Sequence, residues 1–151
     1  YRVSFETMKN SILILFMFFM ICCTPKKVNH YVKINGAQLR DGLWLESYDS
    51  DIGKLQAKGK YYKGEKVGIW KTSFQGKKYQ KDVIKDGIIK TKIYHPNGKI
   101  MQKGQSRTDI SSNERHWYYF GDWKYYDDKG KILFIRKYVL GKKVDSVNLK
   151  K

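Results

Sequence analysis

Cysteine is nearly absent from this chain: its 151 residues hold two, Cys22 and Cys23, adjacent in the stretch MICCTPKK. No second thiol pair and no histidine cluster completes a redox centre or a zinc site, because His30, His95 and His116 lie far apart. Proline is equally scarce at two residues, which excludes a Pro-rich linker. Acidic residues number 14 against 31 Lys and Arg. Most of them, such as Asp49, Asp51, Asp86, Asp127 and Asp128, stand where turn geometry accounts for them without acid–base chemistry. Nucleophile-elbow, P-loop and paired-cysteine motifs are missing too. These gaps point away from an enzyme and from a bound metal or cofactor.

What is present bounds the architecture. A chain of 17.9 kDa with 41% hydrophobic residues has room for one domain with a modest core. Twenty-three aromatics, twelve of them Tyr, favour sheet over helix. The formal charge is +17, and 26 of the 31 bases are lysine. That balance suggests an anionic neighbour. Equally, it fits a solvated β-protein whose lysines keep its sheet edges from pairing with other chains.

Near the start, MKNSILILFMFFMICC from Met8 sets one lysine before an apolar run, Ile12 to Ile21, and then small residues. The run is about half of the roughly 20 residues a spanning helix needs, and the order matches a secretory signal peptide. Residues 1–7 precede that plan, with Met8 as a candidate start. The stretch resembles a bacterial lipoprotein signal, in which the cysteine after the run is lipidated and becomes the mature N-terminus. Cys23 fits that role, with Cys22 as the rival attachment site. The resemblance implies a lipid-anchored envelope protein, at the outer membrane because Thr24 rather than Asp follows the cysteine, and facing the periplasm because the acidic residues that mark surface export are absent. Cleavage there leaves no thiol free for a disulfide, so packing alone holds the fold.

The remaining chain is periodic. Gly-Lys pairs at Gly53, Gly76, Gly98 and Gly130 are spaced 23, 22 and 32 residues apart, and in three of the four units a second glycine follows 11 later, at Gly64, Gly87 and Gly141. An aromatic-rich strand precedes each pair: GLWLESY, GIWKTSF, IIKTKIY and GDWKYYD, with Thr91 standing where Trp44, Trp70 and Trp123 stand in the others. Asp86-Gly87 and HPNGK, His95 to Lys99, read as tight turns. Short connections pair each strand with its sequence neighbour, so a meander of antiparallel hairpins follows. SRTDISSNER, Ser106 to Arg115, holds the extra residues of the third unit and reads as a loop or strand extension.

This pattern resembles MORN-type repeats, closest to the degenerate bacterial versions sometimes labelled antitoxin-like. The resemblance implies an elongated, twisted antiparallel sheet, a scaffold and binding surface without catalysis. The expected organisation is a signal helix over 1–22, a tether and first strand over 23–40, and an all-β repeat domain over 41–151.

HWYYFGDWKYYDD, His116 to Asp128, packs seven aromatics into thirteen residues. Trp117, Tyr119, Trp123 and Tyr126 are the candidate binding platform, and sheet core is the competing role. Strict alternation sends Trp123 and Tyr125 to one face and Lys124 and Tyr126 to the other. Lys26 and Lys27, just past the proposed anchor, would supplement one acyl chain on anionic lipid or lipopolysaccharide. An envelope protein partner is the first expectation and that lipid surface the second. Nucleic acid is not expected, because the export signal removes the chain from it.

Overall fold

In the computed structural model, which describes residues 27–110 and 114–149, the chain is all-β. The strands are β1 (His30–Ile34), β2 (Ala37–Ser50), β3 (Gly53–Tyr62), β4 (Glu65–Phe74), β5 (Lys77–Lys85), β6 (Ile88–Tyr94), β7 (Ile100–Ile110), β8 (Arg115–Tyr126), β9 (Ile132–Val139) and β10 (Lys142–Asn148). They form one sheet in sequence order, every neighbour antiparallel. No helix occurs among the described residues. The proposed signal segment, with Cys22, Cys23 and Lys26, lies outside them.

Local chemistry accounts for the meander. Asp86 (φ 51°) and Gly87 (φ 72°) both take the positive φ that a two-residue hairpin needs. At HPNG, the Gly98 N–H donates to the His95 carbonyl at 2.8 Å and closes the turn. The insertion in the third unit is a strand extension: Ser106 to Ile110 of β7 pair with Tyr119 to Arg115 of β8.

Residues directly opposite across a ladder share a face, so the register sorts the side chains. One row of the inner face runs through Trp44 opposite Gly59, Trp70 opposite Asp82, Asp82 opposite Thr91, Thr91 opposite Gly104, and Trp123 opposite Arg136. Two bulges complete it. The three residues Gly68 to Trp70 stand against the single Gly59, and Gly121 to Trp123 against the single Gly104. Gly68 (φ 67°) and Gly121 (φ 66°) supply the kink. Each following indole then lies across the opposite glycine, and its N–H donates to a neighbouring carbonyl: Trp70 to Lys60 at 3.1 Å, Trp123 to Gln105 at 2.9 Å.

The core is therefore mainly two aromatic patches on the inner face; Tyr118, also buried, lies on the outer face, where its hydroxyl donates to Asp109 Oδ2 at 2.6 Å. The first runs edge-to-face from Tyr31 through Trp44 and Tyr61 to Trp70, with centroids 5.1, 5.6 and 5.2 Å apart. The second joins Trp117, Tyr119, Trp123 and Tyr138. Between them no indole stands, because the third unit has Thr91. Its hydroxyl donates to Asp82 Oδ1 at 2.7 Å, and Gln80 Nε2 donates to Asp82 Oδ2 at 2.8 Å.

The sheet curls toward this face. Glu65 heads β4 and Arg115 heads β8, four strand separations apart, or about 19 Å on a flat sheet at ~4.8 Å each. Yet their side chains meet as a two-bond pair, Arg115 Nη1 to Glu65 Oε2 at 2.8 Å and Nη2 to Oε1. The inner face is concave across the strands and the outer face convex.

Candidate functional site

The curl creates a cleft of about 730 Å³ on the inner face, bordered by the Glu65–Arg115 pair and lined by Tyr61, Lys66, Ile84, Ile89, Thr108 and Ile110 among others. Ile84 and Ile89 are directly opposite each other and lie two residues along from Asp82 and Thr91. The cleft thus opens in the interval between the aromatic patches. Two of its three cations, Lys66 and Arg115, are already engaged. Lys66 Nζ donates to Glu46 Oε2 at 2.8 Å and lies 3.9 Å from the Trp70 ring centroid. Glu46 also accepts from Arg40 at 2.8 Å and Tyr61 at 2.7 Å. Burial pushes the Glu46 carboxyl up, but its bonds from Lys66 and Tyr61 outweigh this and hold it below its ordinary 4.5. At the rim, the Arg115 hydrogen bonds likewise hold Glu65 down against a smaller opposing effect of burial. Both partners of that pair are about half exposed, so its net contribution is roughly 0–1 kcal/mol. The cleft is an apolar pocket with a charge-balanced border.

The aromatic platform expected at Trp117, Tyr119, Trp123 and Tyr126 is not one surface. Trp123 is buried, 3% exposed, with its ring over Gly104, and offers no free face. Tyr119 is half-buried between Trp117 and Trp123, at 4.9 and 4.4 Å. Burial raises its phenol pKa, with a smaller contribution from Tyr138. Tyr126 falls on the outer face, where Lys103 Nζ lies 5.4 Å from its ring centroid. Only Trp117 combines an inner-face position with 50% exposure, and its indole N–H donates to the buried Ser106 Oγ at 3.0 Å. The physical reason is the pleat: successive side chains alternate faces, so a run of aromatics divides between them. Lys27, the one described residue of the proposed anchor pair, is exposed.

The outer face carries a feature that reading the sequence missed. Lys58 is directly opposite Lys71, Lys71 opposite Lys81, Lys81 opposite Lys92, Lys92 opposite Lys103, and Lys103 opposite Lys124. Six lysines therefore form an unbroken row across β3 to β8, ended by Leu45 and Ile135. None makes a salt bridge among the described residues. Like charges directly opposite destabilise a sheet. The reading of lysine as edge protection covers Lys33 on β1 and Lys142 and Lys143 on β10. It does not reach these six, which sit on interior strands.

Comparison with family models, curated proteins and solved structures finds no match for this chain.

Proposed function

We propose that this chain is a lipid-anchored protein of the cell envelope whose MORN-like sheet acts as a non-enzymatic scaffold and binding module. The observation that supports binding is the interior lysine row: an arrangement unfavourable for folding, with none of its six members in a salt bridge among the described residues, is explained when an anionic partner supplies the missing charge. The order of the first residues supports the anchor, with a lysine, a short apolar run and then Cys23.

A second reading is a basic module seated on anionic lipid or lipopolysaccharide. Lys26 and Lys27 favour it, because they lie three and four residues past the proposed acyl site and one acyl chain alone holds a membrane only reversibly.

Metabolic labelling with a fatty-acid analogue tests the anchor. Wild type and Cys22→Ala should carry label and partition with membranes, while Cys23→Ala should lose both. Label that persists on Cys23→Ala rejects the assignment, and label lost only on Cys22→Ala moves it to the rival cysteine.

A further inference from the structure

We infer that the lysine row of the outer face is a binding track for an extended acidic polysaccharide, a chain of sugar rings bearing carboxylates. This rests on the binding-module reading above and names the partner's chemistry. The six rungs, Lys58, Lys71, Lys81, Lys92, Lys103 and Lys124, lie one per strand. At ~4.8 Å per strand the row is about 24 Å long. It presents charge at a regular interval of the same order as one sugar ring. Two depressions accompany it, one of about 610 Å³ lined in part by Lys58, Lys71 and Lys78, the other of about 530 Å³ lined in part by Lys92, Lys103 and Lys124. Beside the row stands an exposed apolar pair, Ile69 opposite Val83, 51% and 37% exposed. Charge along a line with an apolar strip at its flank matches a polymer that has carboxylates on its edge and C–H groups on its ring faces.

Two features decide against the other polyanions. The row runs across the strands, the direction in which the sheet curls away from the outer face. Each strand also turns by about 20–25° from the last. A flat bilayer therefore touches few rungs at once, whereas a flexible chain follows all six. Single-stranded nucleic acid needs free aromatic faces on which to stack bases. On the outer face Tyr94 has Lys78 Nζ 3.6 Å from its centroid and Tyr126 has Lys103 Nζ 5.4 Å away, while the exposed Tyr62, with Lys63 Nζ at 5.2 Å, stands four residues along β3 from Lys58 and off the row. The exposed indole, Trp117, belongs to the inner face, where it bonds Ser106.

The test compares the full chain, in detergent, with Lys81→Gln/Lys92→Gln in the row and Lys142→Gln/Lys143→Gln on the edge strand β10, which remove equal charge. The probes are polygalacturonate, oligo-dT of matched charge, and phosphatidylglycerol nanodiscs, with phosphatidylcholine nanodiscs subtracting the anchor's contribution. Polygalacturonate affinity should fall about tenfold in the row variant and less than twofold in the edge variant, with the loss largest at low salt. The other two probes should bind more weakly and respond alike to both variants. Equal losses of polygalacturonate affinity in the two variants would overturn the track, since net charge alone would then explain binding. Tighter, row-dependent binding of oligo-dT or of phosphatidylglycerol would overturn the choice of polysaccharide. Lys71→Gln/Lys103→Gln repeats the measurement if the first pair folds poorly. Row-dependent glycan binding by a chain that does not partition with membranes sinks the envelope reading and leaves the track standing; membrane partition without glycan binding does the reverse.

Discussion

Trp70→Ala should lower the unfolding free energy by about 3–5 kcal/mol, the range for removing a buried large aromatic. Trp70 is 2% exposed and stands at the end of the edge-to-face series Tyr31, Trp44, Tyr61. Beneath its ring the opposite strand has only Gly59, which has no side chain to fill the space from below. The Lys60 carbonyl also loses its indole donor. Only seven apolar side chains are buried among the described residues, so this loss is a large share of a total stability that is typically 5–15 kcal/mol. Denaturant titration reads the result, and a loss below about 1 kcal/mol would show that the indole is not a keystone of the sheet. Trp70→Phe should recover part of the stability, because it restores an aromatic ring without the N–H.

Gly59→Ala should destabilise by about 1–3 kcal/mol or more, although alanine suits a strand better than glycine. A Cβ at residue 59 would lie 2.1 Å from Trp70 Cδ2 and 2.3 Å from Cε2. Gly104 repeats the arrangement, with an added Cβ 2.2 Å from Trp123 Cδ2. The rings cannot simply lift, since each indole N–H is held by a carbonyl. The decisive check is the double mutant. In the Trp70→Ala background the clash is gone, and Gly59→Ala should become neutral or stabilising through reduced backbone freedom of the unfolded chain. A penalty that survives without the indole would place the strain in the backbone instead.

The repeats were legible in the sequence because their signals are local. Gly-Lys turns at Gly53, Gly76, Gly98 and Gly130 and the aromatic strands before them fix where hairpins close, and short connections leave one pairing order. The site was much less legible. Trp117 to Tyr126 form a compact cluster in sequence, but the pleat places Tyr126 opposite the other three in face and the bulge at Gly121 buries Trp123. Thr91 marks the interval between the aromatic patches, and the residue was visible as a departure from the repeat. Its consequence, a cleft along Ile84 and Ile89, depends on the curl that brings Glu65 to Arg115.

The lysine row was hidden for a different reason. Its members fall at 58, 71, 81, 92, 103 and 124, with uneven spacing, because hairpins differ in length and bulges insert extra residues. Register alone aligns them, and a slip of one residue would send any of these side chains to the other face. Nothing in composition separates these lysines from the edge lysines of β1 and β10.

The most direct test is to measure stability and binding together on Lys81→Gln/Lys92→Gln. The substitution relieves three like-charge rungs, 71 with 81, 81 with 92 and 92 with 103. If the row is retained for a ligand and not for the fold, unfolding free energy should rise by about 1 kcal/mol, from 0.2–1 kcal/mol per relieved pair, while polygalacturonate affinity falls. A row variant that binds the polymer as tightly as wild type would contradict a functional role for the lysine row, and a loss of stability in both Lys81→Gln/Lys92→Gln and Lys71→Gln/Lys103→Gln would assign the row to the fold instead.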